Sequence, residues 1–312
     1  MKTRTITTFA AIAAASLAGV SAYAGTQTVR SQPSKPVKEA MQESCITGDI
    51  GLDIVSNYIA RGLVLENQGI IIQPYANLHF RVAQNVGPVE SISVDLGIWN
   101  SLHSHHDGPR DSTTRSWFES DFIAGMTFNI DKFAVSPYFK IYQSPADVFE
   151  SAYVAGLRLA YDDTDLLGDF ALHPYAKVEL NVIETSGNNY DPFTGLNRGN
   201  GQYYEVGVTP AHSWGDLTLS LPLKGGFGSG GFYLGNRGFG FFSVGLDAAY
   251  ALNFVPECLG KWAVHTGATY VRIGGNNDPL APSGAAGFAP AFGGVVSNEN
   301  QVVFGGGLKV AF

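Results

Sequence analysis

The chain of 312 residues carries 38 glycines, 12% aromatic residues and a formal charge of -8, an acidic balance with no electrostatic footprint for nucleic acid. Beyond residue 24 no apolar run is long enough for a transmembrane helix. Two cysteines, Cys45 and Cys258, are too few for a disulfide scaffold and lack zinc-ligand spacing.

Residues 1–24 have the form of an export signal. Lys2 and Arg4 make a positive start, residues 6–20 are apolar or small, and Ser21-Ala22-Tyr23-Ala24 supplies a small-x-small cleavage pattern. Cleavage after Ala24 is predicted, which removes two cations and no acid and leaves a charge of -10. Residues 25–44 are polar, contain Pro33 and Pro36 and do not alternate. They are expected to form a flexible periplasmic leader, with a short plug as the other reading.

From Cys45 onward the apolar residues recur with a period of two, the pattern of strands with one apolar and one wet face. Residues 51–62 set Leu52, Ile54, Tyr58 and Ala60 against Asp53, Asn57 and Arg61. Residues 70–82 set Ile70, Ile72, Ala76, Leu78, Phe80 and Val82 against Gln73, Tyr75, Asn77, His79 and Arg81. Residues 91–103 put Asp95, Trp99, Ser101 and His103 on the polar face, and residues 117–130 put Glu119, Asp121, Thr127 and Asn129 there. The pattern continues through 133–143 (Tyr138 and Lys140 on the polar side), 150–161 (Arg158) and 170–183 (His173, Lys177 and Glu179). Weaker versions follow at 202–212 (Glu205), 217–224 (Lys224), 241–252 (Asp247) and 262–273 (His265). Residues 301–312 close the series, with Val302, Phe304, Leu308, Val310 and Phe312 opposite Lys309.

These segments suit a bilayer crossing, which takes about 9–11 tilted residues, better than a soluble strand of about 5–6. Turns near 85–89, 131, 162–169, 214–216 and 256–261 are short, whereas the loops at 103–116, 185–201, 226–238 and 276–300 are long. Short turns at one end and long loops at the other predict an all-β fold: a transmembrane antiparallel up-and-down β-barrel of about twelve strands over residues 45–312, with both termini periplasmic. A soluble β-sandwich alternates too, but with shorter strands. Phe80, Phe118, Phe128, Tyr161, Tyr250, Trp262, Tyr270 and Phe312 are placed to form aromatic girdles in the bacterial cell outer membrane, against its lipid. The last strand must pair with the one beginning near Ile46 to remove both sheet edges.

Two resemblances follow from these residues. Phe304, Leu308, Val310 and Phe312 in a strand ending on an aromatic carboxy-terminus resemble the closing strand of bacterial outer-membrane barrels, which implies an assembly signal read by the barrel-assembly machinery. Ser56-Asn57-Tyr58-Ile59-Ala60-Arg61-Gly62 resembles the Ser-x-Tyr-x-x-Arg-Gly opening of outer-membrane porin-like proteins of the TorF type, and Trp99-Asn100-Ser101 with Glu119-x-Asp121 resembles later pieces of that family. The likeness covers roughly residues 50–130 and implies a porin-like channel, with no named solute and no catalytic residue.

In a barrel the polar face lines the lumen. The lining candidates are Asp53, Asn57, Arg61, Gln73, His79, Arg81, Asp95, Glu119, Asp121, Lys140, Arg158, His173, Lys177, Glu179, Glu205, Lys224, Asp247 and Lys309. Acids and bases nearly balance. That suits a wet, narrow channel passing small hydrophilic solutes, or charges paired across a plugged structural or adhesion barrel; about twelve strands lies between filled and open barrels. A hydrolase is the third reading, but no Gly-x-Ser-x-Gly elbow occurs and none of the mid-strand histidines His79, His173 and His265 pairs with a serine by spacing, so no enzyme and no cofactor are expected. Glu119 and Asp121 read as neighbours on a polar wall. His103-Ser104-His105-His106-Asp107 has metal-ligating groups but reads as a solvated loop, so no metal is expected. Cys45 and Cys258 fall at the same end of the barrel and are a disulfide candidate in an oxidising compartment.

Overall fold

A computed structural model describes residues 44–105, 116–148, 151–168, 171–182, 202–233, 236–274 and 299–312. The export signal, all but the last residue of the leader, and most of the loops at 103–116, 185–201 and 276–300 lie outside these residues.

Among the described residues, sixteen strands form. They are β1 (Ile46–Val55), β2 (Tyr58–Ala60), β3 (Leu63–Glu66), β4 (Ile71–Val86), β5 (Val89–His103), β6 (Trp117–Ile130), β7 (Phe133–Gln143) and β8 (Ala152–Tyr161). There follow β9 (Tyr175–Asn181), β10 (Gln202–Val208), β11 (Ala211–Trp214), β12 (Leu217–Ser220), β13 (Leu223–Tyr233), β14 (Asn236–Ala251), β15 (Lys261–Ile273) and β16 (Asn300–Ala311). All but β2 and β3 belong to one antiparallel sheet, which closes where β14 meets β15. Strands β10 and β11 are one stave interrupted at Pro210, and β12 and β13 are another interrupted at Pro222. Proline has no N–H for the ladder, but its carbonyl still serves: Pro210 O accepts from Leu221 N at 2.9 Å and Pro222 O from Gly245 N at 2.8 Å. The described residues thus make a closed barrel of twelve staves.

The seam is β1 against β16, with Leu52 opposite Leu308 and Asp53 opposite Gly307. Gly48 and Phe312 exchange backbone hydrogen bonds of 2.9 and 3.0 Å, so both sheet edges are consumed. Burial is inverted relative to a water-soluble protein. Ile50, Leu52, Ile54, Phe122, Leu246 and Phe304 stand exposed on the outside, while Asp53, Gln73, Asp95, Glu119 and Asp121 are buried inside. A closed antiparallel barrel with an even strand number and an outward apolar band is the architecture of the bacterial outer membrane, where every backbone group must be paired within the protein. The chain is an outer-membrane barrel.

The structure corrects several boundaries. The first stave stops at Val55, and residues 58–66 form a separate two-stranded hairpin, so Tyr58 and Ala60 do not continue its lipid-facing side. The stave predicted over 170–183 is the shorter β9, and His173 precedes it in a segment of positive φ, not mid-strand. Phe118 is fully buried inside rather than in a girdle: an irregularity in the β5–β6 ladder between Ser101 and Leu102 puts Trp117 opposite Leu102 and shifts the facing of its neighbour. Cys45 and Cys258 are free, exposed thiols.

Candidate functional site

The connection between β1 and β4 leaves the wall and folds into the lumen at the end away from the paired termini. Arg61 and Gly62 form its turn, both with positive φ (52° and 81°), the geometry of a tight hairpin turn that glycine enters without steric cost. Added bulk at Gly62 would strike Phe241 and the carbonyl of Gly240 on β14. Tyr58, Ile59, Leu63, Val64 and Leu65 are all buried. They pack on a collar of inward apolar residues from the upper ends of the staves, among them Val55, Ile71, Trp99, Phe118, Phe241 and Val303. The mouth of this membrane barrel is therefore packed like a soluble core.

The hairpin's polar groups meet the opposite wall. The Tyr58 hydroxyl donates to Glu119 Oε2 at 2.7 Å, with its ring 5.4 Å from that of Trp99. Burial, reinforced by the Glu119 carboxylate, pushes the Tyr58 phenol well above its ordinary range, which keeps it a donor. Arg61 pairs with Glu179 at 2.9 Å, donates to the Tyr142 hydroxyl, and lies 4.7 Å from the Tyr142 ring centroid and 5.7 Å from that of Tyr203. Four of the residues that carry the TorF-type resemblance (Tyr58, Arg61, Trp99 and Glu119) are thus gathered in the upper lumen.

Around the β6–β10 wall the charges interlock. Lys140 bonds Asp121 at 2.6 Å and lies 4.2 Å from the Tyr142 ring. Lys177 reaches Glu179 and Glu205 at 3.6 and 3.5 Å, and Arg158 covers the Tyr175 ring at 4.6 Å. Tyr138 donates to Glu179 at 2.7 Å; Tyr175 and Tyr203 donate to Glu205 at 2.8 and 2.6 Å. Tyr138 lies flat across Gly156 on the next strand, and Tyr175 across Gly207, where a Cβ would overlap the rings. Aromatic rings laid over cross-strand glycines keep the wall thin.

On the other side, Asp53 bonds His265 at 2.8 Å, Asp95 bonds His79 at 2.8 Å and Thr127 at 2.7 Å, and Lys309 pairs with Asp49 at 3.3 Å. Gln73 donates to Ser101 at 3.3 Å. Asn57 and Arg61 reach the lumen through the hairpin rather than a stave, with Asn57 donating to Gln301 at 3.3 Å. Arg81 lies at the periplasmic rim, 3.2 Å from the carbonyl of Ser44. His173 lies beside Asp162 and Asp163 in the turn before β9, away from the lumen wall. Glu119, Asp121 and Lys140 are only 0%, 1% and 4% exposed, and Asp53, His79 and Asp95 are buried as well, whereas Lys224, His265, Gly267, Gly305, Gly307 and Lys309 on β13–β16 keep partial solvent contact. Asp247, on that same side, is buried.

Among the described residues, two clusters bear on chemistry. Asp162, Asp163 and His173 lie close enough to share an ion. However, Asp163 already accepts from the backbone of Leu172 and His173, both at 2.9 Å, and Asp162 from Thr164 at 3.0 Å, the work of turn-forming carboxylates. His103 is not part of a solvated loop: it is buried, stacks on Phe118 at 4.4 Å, and its Nε2 is 2.9 Å from Ser101 Oγ. Its Nδ1 is 3.9 Å from Glu66, so serine, histidine and carboxylate fall in nucleophile–base–orienter order. That last distance exceeds a hydrogen bond, and the serine is fully buried. Sequence reasoning missed this alignment, although Ser101 and His103 share a face at i, i+2.

No protein-family model matches the chain, and neither does any curated protein sequence. Among solved structures, the chain is similar to the NanC porin (TM-score 0.43, 9% identity, over 84% of this chain and 98% of that one). It is also similar to the KdgM porin in complex with disordered oligogalacturonate (0.40, 8%, 85% and 99%) and to outer membrane phospholipase A from Escherichia coli (0.38, 12%, 85% and 92%). These likenesses are remote.

Proposed function

We propose that the protein is a porin-like outer-membrane channel for passive diffusion of small hydrophilic solutes, held closed in this conformation by the β2–β3 hairpin. One observation carries the reading: the staves line the lumen with polar and charged groups down to the periplasmic end, and the block at the mouth comes from a loop. The hairpin can leave the mouth without any stave moving. The TorF-type resemblance points the same way, and the meeting of its motif residues in the upper lumen supports it. The channel reading assigns no catalytic step, and the Ser101–His103 pair serves as packing beneath the hairpin.

The plugged structural barrel is the second reading, favoured by the dry, ion-paired wall of β6–β10. Planar-bilayer recordings separate the two. Replacing residues 57–68 by a short Gly-Ser linker should convert a mostly silent wild-type protein into one with discrete ohmic steps. A correctly folded, hairpin-deleted barrel that stays silent would reject the channel in favour of the plug.

A further inference from the structure

Arg61 reaches from the β1–β4 connection to side chains of β7, β9 and β10. Strand β9 stands six staves from β1 around the twelve-stave ring, diametrically opposite. The partners there are assembled without it. Glu179 is held by the Tyr138 hydroxyl at 2.7 Å and by Lys177 at 3.6 Å, and the Tyr203 ring is fixed by its own hydroxyl bond to Glu205 at 2.6 Å. Arg61 adds its positive charge to this wall from a loop. It does so from a left-handed backbone position, φ 52°, that a non-glycine residue seldom takes.

We infer that Glu179, Tyr142 and Tyr203 form a recognition site for a guanidinium-bearing solute, and that Arg61 is its tethered occupant. This rests on the channel reading for access to the site. The chemistry selects guanidinium over other cations. A planar guanidinium donates in its plane to a carboxylate and a phenol oxygen while its face lies against tyrosine rings. An ammonium is a more strongly hydrated point charge and gains less from the rings. A solute of this class would compete with Arg61 for the cradle and so favour the undocked hairpin.

The test uses the full-length folded barrel with Arg61→Gly, which keeps the turn because glycine accepts that φ; Arg61→Asn is the substitute if the first variant fails to fold. Methylguanidinium and methylammonium are titrated by calorimetry in detergent and by block of single-channel current. The variant should bind methylguanidinium roughly tenfold more tightly than methylammonium, the wild type should bind methylguanidinium more weakly than the variant because Arg61 competes for the cradle, and Arg61→Gly/Glu179→Gln should lose the binding. Equal affinity for both cations, or binding indifferent to Glu179, would overturn the site. Calorimetric binding in a barrel without current would keep the site and reject the channel reading, so the two failures are distinguishable.

Discussion

Ile59→Ala should release the hairpin from the lumen without unfolding the barrel. Tyr58, Ile59, Leu63, Val64 and Leu65 are buried, and at about 1.5–3 kcal/mol each their burial contributes roughly 7–15 kcal/mol. Ordering the thirteen residues 57–69 costs about 1 kcal/mol each, roughly 13 kcal/mol. The two nearly cancel, which leaves the docked state resting on a few contacts such as Tyr58 with Glu119 and Arg61 with Glu179. Truncating a fully buried isoleucine removes about 2–5 kcal/mol, a factor of about 30 or more in the docking equilibrium. The readout is trypsin cleavage after Arg61, which is 8% exposed when docked and fully accessible when released. Heat-dependent gel migration would verify that the barrel persists. Cleavage should be slow in wild type and faster in the variant by up to that factor, the rise ending once the released state predominates. An intact barrel in which Arg61 stays equally protected would show that the hairpin is held by more than the contacts described, and the marginal-docking argument would fail.

Three further outcomes test the wall. Leu52→Arg places a cation on the lipid side of β1 between Pro74 and Leu308; near mid-membrane this should cost about 2–4 kcal/mol, seen as a lowered urea midpoint in vesicles, and an unchanged midpoint would mean that this face does not meet lipid. Lys140→Met strands the buried Asp121 carboxylate and should cost about 3–5 kcal/mol, whereas Lys140→Met/Asp121→Leu should recover most of it; a double variant as unstable as the single would contradict the pairing. Gly156→Val drives a side chain into the Tyr138 ring and should cost about 1–3 kcal/mol through overpacking. Tyr138→Ala in the same chain should relieve it, and no relief would argue against the ring lying on the wall.

The stave order, the outward apolar faces and the β1–β16 seam were legible in the sequence because strand periodicity is a local property: side chains alternate whatever the strand pairs with. The fate of residues 56–69 was not. Up to Arg61 the alternation of β1 continues in phase, so Tyr58 and Ala60 read as lipid-facing. What separates a stave from a buried hairpin is the solvent on each side, and that exists only once the barrel has closed around the loop. A hint lay in Leu63-Val64-Leu65, apolar on both faces directly after Arg61-Gly62, as a strand buried on both sides would be. The chain alone thus determined an outer-membrane barrel with a charged interior. Only the tertiary structure decided that this interior is occupied, because Arg61, Tyr142, Glu179 and Tyr203 come from distant parts of the chain and meet solely across the closed lumen.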